Sequence, residues 1–181
     1  MSNNYIRWLG ISVLARNLRS MIKLSELNLS GNSIDNYGAI SLAEGFAYDC
    51  NLATLELSDN RIENDRAMTL ACALTENCSL RKLILAKNLI GSRGVNALAI
   101  VINLNKTLNV LDLQYNLATL NSKYNDSSAN IIQIHPAIVL VNAFKSRADS
   151  LILNLQENDI DPVHFDQLRA LCAHSPNFVI M

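Results

Sequence analysis

The chain has no excess of charge of either sign: its 181 residues carry 15 Lys and Arg against 16 Asp and Glu, a formal net charge of −1. So even a balance gives no electrostatic grip on nucleic acid or an anionic membrane, and neither is expected as a partner. Long apolar runs are missing too; no stretch approaches the ~20 residues needed to span a bilayer. The segment Trp8 to Ala15 is apolar enough for a secretory h-region, but Arg16 and Arg19 follow it and no small-residue cleavage site does. There is no Gly-rich phosphate loop and no Ser or Cys nucleophile in a recognisable setting. Of the three histidines, His135, His164 and His174, the last two can be grouped with Cys172 around a metal. That grouping matches no structural zinc spacing, and Cys172 falls on a core-facing helix position. No catalytic activity, no metal and no cofactor are expected.

Cysteine is also scarce. Cys50 and Cys78 share one repeat position, just before the leucine that opens the next strand, where a small apolar side chain fits. With Cys72 and Cys172 they are expected to be buried free thiols of a cytoplasmic protein, not two disulfides.

What is present in quantity is one phrase, written five times: LNLSGNSI from Leu27, LELSDNRI from Leu55, LILAKNLI from Leu83, LDLQYNLA from Leu111 and LNLQENDI from Leu153. Its asparagines, Asn32, Asn60, Asn88, Asn116 and Asn158, are spaced by 28, 28, 28 and 42 residues. A fixed period of this length marks a stack of supersecondary units. In one unit, Leu52, Leu55 and Leu57 follow L-x-x-L-x-L, so Leu55 and Leu57 share one face of a short strand while Thr54, Glu56 and Ser58 take the other. Ala67, Leu70, Ala71 and Leu74 then recur at i, i+3, i+4, i+7, an amphipathic helix of about three turns. One strand and one helix cannot bury an apolar stripe alone, so neighbouring units must share a continuous core, and strand-helix-strand crossovers make the strands parallel. Helices are wider than strands, so the stack curves with the strands on its inner side.

The pattern L-x-x-L-x-L-x-x-N-x-I followed by G-x-x-x-L-A-x-x-L resembles the leucine-rich repeats of the ribonuclease-inhibitor type, also found in NOD-like receptor sensor domains and Ran GTPase-activating proteins. The resemblance implies an α/β fold: a right-handed α/β horseshoe, a solenoid with parallel strands on the concave face and helices on the convex face. It implies no particular partner, because fold does not carry function.

The expected organisation is a single domain over 1–181. It comprises a capping half-repeat (1–23), repeats at 24–51, 52–79, 80–107, 108–149 and 150–177, and the start of a terminal strand at 178–181. Asn4, Ile6, Gly10 and Leu14 fall in register with Asn32, Ile34, Gly38 and Leu42, which makes Ile6 to Leu18 a capping helix. Phe178 and Met181 are read in the places of Leu80 and Leu83. Both ends look cut, either as abbreviated caps or as the edges of a longer array. The 14 extra residues near 119–132 are polar and rich in Asn, Ser and Asp, an exposed loop on the strand-to-helix rim. Trp8 aligns with the polar Asn36 and Asn64 and is expected to cover the exposed end of the core, the alternative being an indole that waits for a partner.

The asparagine ladder is expected to satisfy buried backbone groups. Function falls to the outward strand positions. Row by row these are Glu26, Thr54, Lys82, Val110, Ile152; then Asn28, Glu56, Ile84, Asp112, Asn154; then Ser30, Ser58, Ala86, Gln114, Gln156; and Gly31, Asp59, Lys87, Tyr115, Glu157. Rows at ~4.8 Å spacing should gather Ile84, Val110 and Ile152 into an exposed apolar patch beside Tyr115, rimmed by Lys82, Lys87, Glu56, Asp59 and Asp112. An apolar centre with an aromatic and a charged rim is the anatomy of a protein-binding hot spot. The bland alternative is a Lys87 to Asp59 pair across adjacent strands and nothing bound.

The expected site is therefore Glu56, Lys82, Ile84, Lys87, Val110, Asp112, Tyr115, Ile152 and Asn154, with Lys123 and Tyr124 of the insertion, and the expected partner is another protein. Three alternatives accompany it: a regulator or inhibitor of an enzyme in trans, a bacterial effector acting in a host cytosol, and a homodimer through the edge strand Phe178 to Met181. The effector reading leans on an asparagine- and isoleucine-rich composition of the kind an AT-rich microbial genome encodes.

Overall fold

The computed structural model describes residues 1–48, 51–116, 134–145, 151–158, 160, 162–173 and 178–181. Cys50, His174 and the insertion with Lys123 and Tyr124 lie outside them. Elements alternate along the chain: α1 Trp8–Asn17, a 3-10 turn Leu18–Ser20, β1 Glu26–Asn28, α2 Asn36–Ala47, β2 Thr54–Glu56, α3 Asn64–Glu76 and β3 Lys82–Ile84. After these come α4 Ser92–Leu104, β4 Val110–Asp112, α5 Ile134–Lys145, β5 Leu151–Asn154, α6 Pro162–Cys172 and β6 Phe178–Ile180. The six strands form one parallel sheet in chain order, each paired with the next. Strands line the concave side and helices the convex side, as the repeat predicts.

The alternation read from the sequence sorts the two faces. Leu55, Leu57, Leu83, Leu85, Leu111 and Leu113 are fully buried, and Leu42, Leu70, Leu98 and Leu140 meet them from the helices. Truncating any one of these to Ala should cost ~2–5 kcal/mol. Small residues bring the helices together: a Cβ at Gly45 would stand 2.9 Å from the Ala15 Cβ, and one at Gly94 would stand 2.9 Å from the Ala67 Cβ.

The asparagine of each phrase holds two units at once. The Asn60 carboxamide oxygen accepts from Asn32 N at 3.2 Å and Ile34 N at 2.9 Å, while its Nδ2 donates to the carbonyls of Leu29, Leu57 and Ser58. Asn88 donates to Leu57 and Leu85, Asn116 to Leu85 and Leu113, and Asn158 to Leu113 and Leu155, so the pattern spans the sheet. Each side chain satisfies groups that burial would otherwise orphan at ~1–3 kcal/mol apiece. A second ladder, unread in the sequence, runs where helices turn into strands. Asn77 Nδ2 donates to Phe46 O and its Oδ1 accepts from Ser79 N and Leu80 N; Asn105 does the same with Leu74 O, Thr107 N and Leu108 N. Its signal was available as Asn77 and Asn105, one repeat period apart in N-C-S-L and N-K-T-L. Helix starts are capped locally and across units. Asp35 Oδ1 accepts from Tyr37 N and Gly38 N, whereas α4, whose N-cap is Gly91, takes its cap from Asn64 Oδ1 in the preceding unit.

The structure corrects several expectations. The sheet pairs Ile180, not Met181, with Leu153. The Met181 carbonyl accepts from Leu155 N, just as Ile84 O does from Leu57 N, so Met181 occupies the place of Ile84. The connection from α6 to β6 is one residue shorter than the period requires, and a one-residue slip exchanges the two faces: Val179 points out and Ile180 in. Cys72 and Cys78 are exposed, because Asn77 takes the buried place beside Leu80 and Cys72 lies on the solvent side of α3. Cys172 alone of the three described cysteines is buried. Burial pushes its thiol up from the usual range, with Lys145 pulling weakly the other way. Trp8 does not cover the core end; it is half exposed and tilted against Tyr37 with ring centroids 6.4 Å apart. Ile11, Ala15 and Leu18 are buried in that end of the core.

Candidate functional site on the concave face

The outward rows can now be traced strand by strand. One runs Glu26, Thr54, Lys82, Val110, Ile152 and Val179; the next runs Asn28, Glu56, Ile84, Asp112 and Asn154. The first changes character midway. It is polar from β1 to β3 and apolar from β4 to β6, with Ile152 37% and Val179 50% exposed. Ile84 is not in that row. It sits half-buried between Glu56 and Asp112, diagonal to Val110 across the β3–β4 pair.

The polar end is engaged with itself. Asn28 Nδ2 donates to Glu56 Oε2 at 2.7 Å and Ser30 Oγ donates to Glu56 Oε1 at 3.0 Å, so both carboxylate oxygens already accept from neighbours. A recurrent short turn braces the strand ends: the side-chain oxygens of Asn28, Asp112 and Asn154 accept from the backbone N–H groups of Ser30, Gln114 and Gln156. Asn154 is buried, and its amide also donates to Gln114 Oε1 at 3.1 Å, so this residue braces the sheet and leaves the exposed set. Lys82 is exposed between Thr54 and Val110.

Lys87 and Tyr115 stand on the rim, not on the strands. The strands end after three residues, and the residue before each ladder asparagine turns into the left-handed region: Gly31, Asp59, Lys87, Tyr115 and Glu157 have φ between 53° and 65°. Glycine suits this backbone and aspartate tolerates it, while Lys87, Tyr115 and Glu157 pay ~1–2 kcal/mol. The turn throws their side chains outward along the strand ends. Tyr115 is 43% exposed, with Lys87 Nζ 5.7 Å from its ring centroid, a cation-π contact between adjacent units. No ion pair joins Lys87 to Asp59 among the described residues; the one present there is Arg93 to Asp65 on the helical side, at 3.9 Å.

The strip Val110, Ile152 and Val179, with Ile84 at one flank and Tyr115 at the rim, grows more exposed from the half-buried Val110 to Val179. A depression of about 290 Å³ lies at the opposite end of the rim, between Asn3, Tyr5, Gly31, Ser33, Asp59 and Arg61. Among the described residues no group of three His, Cys, Asp or Glu side chains is placed to hold a metal ion, and no helix is long and apolar enough to cross a membrane. Val179 is the site residue that the sequence reading missed, since the 28-residue register turned it inward.

Comparison with known proteins bears on the fold. The family model described as "Leucine Rich repeat" matches residues 20–43 and 76–99. No curated protein matches the chain. Among solved structures, leiomodin-1 actin-binding site 2 superposes with a TM-score of 0.65 at 16% identity, covering 90% of this chain and 86% of that one. A tropomodulin C-terminal domain from Caenorhabditis elegans superposes with a TM-score of 0.67 at 13% identity, covering 90% of this chain and 91% of that one. The repeated phrase, the parallel sheet backed by a helix in each unit, and these likenesses identify the fold as a leucine-rich-repeat α/β solenoid.

Proposed function

We propose that the chain is a non-catalytic module that binds another protein on the C-terminal half of its concave face and the adjoining rim. The observation that supports this reading is the row Val110, Ile152 and Val179, apolar and exposed at Ile152 and Val179, where the equivalent row in β1 to β3 is polar. Tyr115 adds an aromatic anchor, and Lys82, Lys87 and Asp112 supply the polar rim that such interfaces use. The exposed strip amounts to a few hundred Å² against ~800 Å² per partner in a standard interface, so rim loops must contribute, and Lys123 and Tyr124 of the insertion are assigned that part. The 28-residue period with a helix in each unit favours the ribonuclease-inhibitor type of repeat, and the composition favours a cytoplasmic setting.

Affinity capture from a cytosolic extract, wild type beside an Ile84→Asp, Tyr115→Ala double variant, tests the reading. Purified actin belongs among the probes, because the leiomodin-1 domain of the same fold is titled an actin-binding site. A protein held by the wild type and lost by the variant is the expected outcome. Equal retention by both would move binding off this face, and capture of nothing by the wild type would remove the reading.

A further inference from the structure

The rim is knitted unevenly along its length. Between the repeats of Asn60 and Asn88, Leu89 N donates to Ile62 O at 2.9 Å and bridges the two loops. Ser33 and Arg61 hold the place of Leu89 in the two preceding repeats, and neither of their backbone N–H groups finds a partner among the described residues. The loops stay apart there, and the depression of about 290 Å³ opens between them.

The backbone around this depression is the most strained on the rim. Each repeat turns left-handed at the residue before its ladder asparagine, but Tyr5 and Ser33 add a second such residue just after it, at φ 50° and 51°. Arg61 and Leu89, at the same place in the next repeats, do not. Gly31 matters to the floor, because a Cβ there would collide with Asn3 Oδ1. The wall is fixed by hydrogen bonds: Asn3 N donates to Ser30 O at 2.8 Å, and Asn4 N and Ile6 N both donate to Asn32 Oδ1 at 3.1 Å. Backbone held in sparsely populated regions by its surroundings collects at ligand sites.

The side chains lining the depression are uncommitted. Asn3, Tyr5, Ser33, Asp59 and Arg61 all bring polar groups to it, and among the described residues none of these groups makes a hydrogen bond or an ion pair. Glu56, by contrast, has both carboxylate oxygens occupied. Asp59 and Arg61 give the depression no net charge. One carboxylate is too few for a calcium or magnesium site, and it repels phosphate or sulfate. Apolar surface is scant, so a hydrocarbon ligand gains little. A neutral ligand dense in hydroxyl groups meets all of these conditions. The Asp59 carboxylate can accept from two neighbouring hydroxyls, and the Arg61 guanidinium and Asn3 carboxamide can donate to others. Tyr5, 79% exposed, offers a flat apolar ring with a polar tip to the C–H side of a sugar ring. The volume lies just below the ~300–1,000 Å³ of drug-sized pockets, which suits one small ligand.

We propose that this rim depression binds a single pyranose sugar, with Asp59 and Arg61 as its hydrogen-bonding pair and Tyr5 as its stacking platform. It lies beyond the carboxyl ends of β1 and β2, where open parallel sheets place their ligands. The inference stands apart from the partner-binding reading, which concerns the other end of the face.

Saturation-transfer NMR on the whole chain tests it, with D-glucose, D-galactose and D-mannose offered separately at millimolar concentration. At least one of the three should receive saturation from the protein. Asp59→Asn, which keeps a residue tolerant of left-handed backbone, and Tyr5→Ala should each weaken that binding by at least ~10-fold in a titration. Asp65→Ala on the helical side should bind as the wild type does, and circular dichroism should show all three variants folded. Saturation of none of the three sugars overturns the proposal. So does binding that survives both Asp59→Asn and Tyr5→Ala, or that Asp65→Ala weakens equally.

Discussion

The two halves of the concave face share one backbone and differ in what their side chains do. At the β1 and β2 end the outward residues satisfy one another: Glu56 accepts from both Asn28 and Ser30. From β4 to β6 the same row holds Val110, Ile152 and Val179, whose side chains can form no hydrogen bonds and which pass from half-buried at Val110 to exposed at Val179. A sheet stabilised on its helical side does not need this apolar strip, whose burial against water would be worth ~25 cal/mol per Å². Identical architecture carries different surface chemistry along this row, and the proposed reading places a partner on its apolar part.

The largest expected effect comes from removing what both halves share. Asn60→Ala orphans the buried N–H groups of Asn32 and Ile34 and leaves a hole, so urea unfolding should show a loss of ~3–5 kcal/mol. Next, Ile152→Asp should weaken partner binding by at least ~2 kcal/mol, some thirtyfold in a titration, while changing unfolding by less than ~1 kcal/mol. Its counterpart on the polar half, Glu56→Ala, should reverse that split. Losing the contacts to Asn28 and Ser30 should lower stability by ~0.5–1.5 kcal/mol and leave binding unchanged. Smaller still, Glu157→Gly relieves a left-handed backbone at a cost in chain entropy, for a net gain near ~0.5 kcal/mol by thermal unfolding. A thiol reagent at neutral pH should label Cys72 and Cys78 well before Cys172, whose raised pKa and burial both reduce the reactive thiolate.

Much of the fold was legible because a 28-residue period repeats one physical solution, and errors in any single unit are outvoted by the others. The places where the reading failed are those where the period is silent. The turn residues Lys87 and Tyr115 carry no mark of left-handed backbone, since neither is glycine or asparagine, and were placed on the strands. The last connection is one residue short, which no pattern within β6 reveals and which exchanges Val179 with Ile180. Cys78 matched Cys50 in register, yet burial there belongs to Asn77, a polar residue that earns its place through three hydrogen bonds. For the candidate site, the repeat register named the rows and their apolar members, but only the folded structure reveals that Asn154 and Glu56 are already engaged within the sheet.

The most direct test of the division of labour on the concave face is site-specific photo-cross-linking in a cytosolic extract, with the reactive group placed either at Ile152 or at Asn28. The account predicts a discrete protein adduct from position 152 and none from position 28. An adduct from position 28 with none from position 152 would contradict it.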